Sequence, residues 1–67
     1  MRSYRCFFLD DEQHIKGAEI IEAEALREAV SRALESFEAR PQHRSVEIWF
    51  GANRIYQAER EESTTKG

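Results

Sequence analysis

Cysteine is almost missing: Cys6 is the only one among 67 residues. A lone cysteine excludes an intramolecular disulfide and a thiolate metal cluster, and a small domain without disulfides fits a reducing cytosol. Lysine is nearly as scarce. Lys16 and Lys66 stand beside eight arginines, and thirteen acidic residues outweigh these ten cations to leave a net charge of −3. Tight nucleic-acid binding draws on many phosphate contacts from a basic face, so this balance speaks against it. The three glycines, at 17, 51 and 67, form no phosphate-cradling loop. No run of about 18 apolar residues is present for a membrane span. Met1-Arg2-Ser3-Tyr4 leads straight into a short aromatic segment, unlike the apolar stretch of a secretory signal. The expectation is a cytoplasmic protein without a membrane partner. Length narrows the options further: 67 residues make one domain, too short for a cleft between two. A chain this short buries only about 60% of the surface its unfolded form exposes, so its stability is marginal.

What is present is strongly patterned. Residues 3–9 are aromatic and extended in character, and read as a strand. Asp10-Asp11-Glu12-Gln13 is a polar turn whose Asp side chains bond nearby amides. Residues 14–22 read as the return strand, with a bulge expected around Gly17. From Glu24 to Arg40 the period changes: Leu26, Ala29, Val30, Ala33, Leu34 and Phe37 make a continuous helical stripe. No good N-cap residue precedes it, Arg40 suits the negative end of the helix dipole, and Pro41 stops it. Residues 45–50 alternate strictly as a third strand, Gly51-Ala52-Asn53 supplies a turn, and residues 54–58 form a short fourth strand. The expected fold is α+β, strand-strand-helix-strand-strand, with one helix on one face of a mostly antiparallel four-stranded sheet. Residues 1–58 form that domain, and residues 59–67 read as a disordered charged tail.

The distribution of apolar residues carries the functional reading. Apart from Met1 and eight alanines there are eighteen large apolar residues, four on the helix and fourteen on the strands. A helix of about 17 residues, roughly 25 Å long, covers one face of a small sheet and not two. Alternation sets Tyr4, Cys6, Phe8, Val46, Ile48 and Phe50 on the helix side, which keeps charges out of the core. The outer face then holds Phe7, Leu9 and Trp49, with Arg5 and Glu47 among them. Aromatics with arginine are the composition of protein interfaces. The expectation is self-association or binding of a protein partner through this face. Phe7, Leu9 and Trp49 serve as anchors, and Arg5 and Glu47 form a cross-strand pair if the first and third strands are neighbours. Tyr56 joins them if the fourth strand faces that way.

Signals for chemistry are sparse. His14 and His43 lie in loops without the helical i, i+4 spacing of a zinc motif, and read as solvated, so no metal or other cofactor is implied. Cys6, mid-strand among aromatics, reads as a small buried hydrophobe with a raised pKa. No serine sits in a nucleophile-elbow context, and no catalytic residues emerge. An alternative use of the aromatic face is nucleic-acid or small-ligand binding, with Arg40 and Arg44 supplying charge.

Tyr4-Arg5-Cys6-Phe7-Phe8-Leu9-Asp10, His14-Ile15, Glu24-Ala25-Leu26 and Val46-Glu47-Ile48-Trp49 with Gly51 resemble a family of short uncharacterised bacterial proteins across about residues 3–55. The resemblance implies a small α+β domain of unknown function, with no catalytic or ligand residues to carry over. A fainter similarity to antitoxin-type domains implies a sheet and helix that grip a protein partner. The extra strand and DNA-binding appendage of those domains are missing from this sequence.

Overall fold

The computed structural model describes residues 1–60. Its elements follow the order β1 (Arg2–Leu9), β2 (Ile15–Ala23), α1 (Leu26–Glu38), β3 (Ser45–Phe50) and β4 (Asn53–Glu59). One four-stranded sheet has the order β2-β1-β3-β4, and every neighbouring pair is antiparallel. The fold is therefore α+β. Because β2 and β3 both run against β1, they run parallel to each other, and their connection has to cross over β1. That crossover is α1, which is why the helix lies across the sheet centre.

Local chemistry explains the connections. In the first turn Asp10 Oδ1 accepts bonds from the amides of Glu12 and His14, both at 2.9 Å. Those amides hold the Asp10 carboxyl below its ordinary range, His14 contributing most. Gln13 takes a φ of 69° there and Gly51 a φ of 63° in the second hairpin. The expected bulge is found beside Gly17: Phe8 faces Gly17 and Leu9 faces Ile15, which leaves Lys16 unopposed. The helix begins without a side-chain cap at Ala25.

The core is built from alternate residues. Tyr4, Cys6 and Phe8 of β1, Ile21 and Ala23 of β2, and Val46 and Ile48 of β3 meet Ala29, Ala33 and Phe37 of the helix. Ala29 and Ala33 are fully buried, and their small side chains let the helix axis approach the sheet closely. Phe50 shares the helix-side face of Tyr4, as alternation sets it. It lies against Tyr4, ring centroids 5.3 Å apart, yet is 42% exposed at the sheet's open end. Leu26 at the start of the helix is likewise open to solvent.

The far end of the helix is held differently from expectation. The helix stops at Glu38, and Arg40 turns away to Glu19, 3.1 Å from its carboxylate. The cation at the helix C-terminus is Arg60, whose guanidinium donates to the carbonyls of Phe37 (2.8 Å), Arg40 (3.2 Å) and His43 (2.9 Å). It also lies 4.2 Å over the Phe37 ring. Two residues expected in the disordered charged tail are structured instead: Glu59 ends β4 and Arg60 is anchored. The rest of that expectation, for residues 61–67, falls outside the described residues.

Candidate functional site

The outer face of the sheet, opposite α1, forms a grid fixed by register. One row reads Ile20, Arg5, Trp49, Arg54 across the four strands. The next reads Ala18, Phe7, Glu47, Gln57, and the third Ile15, Leu9, Ser45, Glu59. Phe7 and Trp49 are half-buried, and Ile20 is 65% exposed. Shallow hollows flank Arg5, one walled by Phe7 and Ile20, the other by Phe7 and Trp49. Among the described residues no second element packs on this face: α1 contacts the sheet from the other side.

Three expectations for this face are corrected. Although β1 and β3 are neighbours, Arg5 and Glu47 do not pair, because register sets Arg5 opposite Trp49 and Phe7 opposite Glu47. Glu47 is instead held by its own side of the sheet. It accepts from Trp49 Nε1 at 3.0 Å and Arg54 Nη1 at 3.2 Å. The Arg5 guanidinium makes no hydrogen bond or ion pair among the described residues, and projects from the face as a free cation. Leu9 shares the outer register but is only 5% exposed. It sits at the strand end between Ile15 and Ser45, where the Arg44 amide bonds its carbonyl, so it offers nothing to a partner. Tyr56 stands opposite Ile48 and packs on the core from the helix side.

Ile20, not singled out from the sequence, is the most open apolar side chain of the grid. Two adjacent isoleucines on one strand have to face opposite ways, and Ile21 is the buried one. Arg40 and Arg44 do not join this face. Arg40 is bound to Glu19 on the helix side of the sheet, and Arg44 belongs to the loop before β3. The charged side chains of the outer grid are Arg5 and Arg54 against Glu47 and Glu59, with Glu22 at its edge opposite Ser3. His43 is the other reversal: it is 8% exposed and stacked on Phe8, whereas His14 stays in solvent beside Asp10 and Glu12. Among the described residues, no three His, Cys, Asp or Glu side chains converge as a metal site, and no helix is long and apolar enough to cross a membrane. No protein-family model, no curated protein and no solved structure matches the chain.

Proposed function

We propose that this chain is a non-enzymatic interaction domain of the cytoplasm that self-associates through the outer face of its sheet. The observation that supports it is the row Ile20–Arg5–Trp49 with Phe7 beside it, an apolar strip around a guanidinium that, among the described residues, is unpaired and covered by no other element. A second copy suits this strip. In face-to-face packing with a two-fold axis along the strands between β1 and β3, Arg5 falls over the partner's Trp49. With the axis across the strands it falls over the partner's Phe7. Either way a cation meets an aromatic face on association. The mixed charge of the grid disfavours a polyanion and tolerates a copy of itself.

Area sets the strength. Strand spacing near 4.8 Å and a rise near 3.4 Å per residue give this face about 450 Å² in projection, about 900 Å² for two copies. That lies at the lower edge of specific interfaces, so the dimer is reversible and weak. Sedimentation equilibrium tests it. The wild-type chain is expected to move from monomer towards dimer mass with concentration, and Ile20→Glu to stay monomeric with its fold intact. A wild-type chain that remains monomeric into the high micromolar range overturns the reading.

A further inference from the structure

On the opposite side of the molecule, where the loop after α1 passes the edge strand β2, there is a cleft of about 270 Å³. Phe8 forms its floor, Lys16, Gly17 and Glu19 one wall, and Arg40 and His43 the other. His43 is the unusual component. Its residue is 8% exposed, and its ring lies on Phe8 with centroids 5.1 Å apart, tilted by 17°. Its main-chain groups are used, the amide by the Arg40 carbonyl and the carbonyl by Arg60. Its ring nitrogens have no partner among the described residues. A buried polar group left unpaired is costly and calls for a partner. Facing Nε2 is Gly17, where a side chain's Cβ would stand 3.9 Å away, so the wall there is open by composition.

Arg40 is fixed at the same cleft with donors to spare. Glu19 Oε2 takes its Nη1 at 3.1 Å, while Ser36 Oγ donates to the other oxygen of Glu19 at 3.2 Å. The guanidinium carbon lies 5.8 Å from the centre of the Phe8 ring. One carboxylate thus neutralises and positions Arg40, and its remaining N–H groups have no partner among the described residues. Lys16 adds a second cation, 56% exposed and 3.9 Å from Asp10. The negative end of α1 would oppose an anion here, but Arg60 already covers the carbonyls of Phe37 and Arg40. We infer that this cleft binds a small oxyanion, a phosphate or carboxylate group, gripped by the free edge of Arg40 and by Lys16 and hydrogen-bonded by a ring N–H of His43.

Amide NMR titration with sodium phosphate at constant ionic strength tests the site, with sodium acetate as a second arm and sodium chloride as the control. Saturable shifts confined to residues 16–19 and 40–44 are expected. Saturation by phosphate alone assigns a phosphate group, and saturation by acetate as well assigns any carboxylate; both support the site. Arg40→Gln is expected to weaken binding by roughly tenfold or more, the loss of a charge-assisted fork. His43→Phe keeps the stack on Phe8, removes the ring nitrogens and is expected to weaken binding in a folded protein. Shifts that stay linear and match chloride overturn the inference. So does undiminished affinity in Arg40→Gln. Self-association is read by mass and this site by titration, so one can fail without the other.

Discussion

At the scale of single residues, environment decides more than residue type. Cys6 has 0% exposure at the centre of the core. Burial pushes its thiol pKa from 9.0 up to about 12, the nearby Glu19 carboxylate adds to the rise, and Arg40 opposes it. Thiolate is the reactive form, so a thiol held that high keeps very little of the reactivity an open cysteine shows near neutral pH. Alkylation of the native chain by iodoacetamide at pH 8 is therefore expected to run at least about a hundredfold slower than in urea. The same elevation has a consequence for stability. The unfolded thiol ionises near pH 9 and the folded one does not, so stability falls as pH rises past 9 towards 12. Rapid native labelling would show that the strand opens. The cysteine's burial was legible, because excluding Arg5 from the core forces Cys6 into it. The facing of Tyr56 was not legible: it follows from a bulge between Ile48 and Trp49 that no local pattern announces. Nor was the burial of His43, which depends on a ring contact with Phe8, thirty-five positions earlier in the chain.

At the scale of elements, each strand and the helix lie within a few residues of where periodicity sets them, since period 2 and period 3.6 are local properties. The ends are another matter. Arg40 sits in the sequence position that suits a helix C-terminus, yet the cation that performs this role comes from the end of β4. Long-range capping leaves no spacing signal, which is why Arg60 reads as part of a tail. The clamp combines three carbonyl bonds with a ring contact at 4.2 Å, in a partly buried setting. Bonds from a charged donor contribute about 1.5–3 kcal/mol where solvent is limited. Arg60→Ala is accordingly expected to lower unfolding free energy by about 2 kcal/mol in urea titrations, because it leaves the last helical carbonyls and the loop into β3 without a donor. By contrast, the exposed Arg32–Glu28 pair at 2.8 Å stands i, i+4 in water and contributes only about 0.3–0.5 kcal/mol. A loss for Arg60→Ala no larger than that would show that the clamp is ornamental.

At the scale of the whole molecule, the one helix and four strands of the described residues leave a two-sided sheet with one side covered. The excess of apolar residues on strands foretold this, since it required only counting and the dimensions of a helix. The make-up of the uncovered side was legible in Phe7, Trp49 and Arg5, but not in Ile20, whose prominence depends on β2 being an edge. If a second copy covers that side, association and folding are linked, and the midpoint of thermal unfolding has to rise with protein concentration. For a dimer, each tenfold increase above the dissociation constant adds about 0.7 kcal/mol per chain, half of the usual 1.4. In a domain of this size that amounts to about 3–5 °C. The wild-type chain is expected to show this increment in calorimetry at concentrations above its dissociation constant, and Ile20→Glu a constant midpoint. Salt separates the sources of attraction: an apolar interface holds its increment at high ionic strength, whereas one resting on surface ion pairs loses it. A wild-type midpoint that is flat in concentration would mean that water, or a different protein, is what meets Trp49.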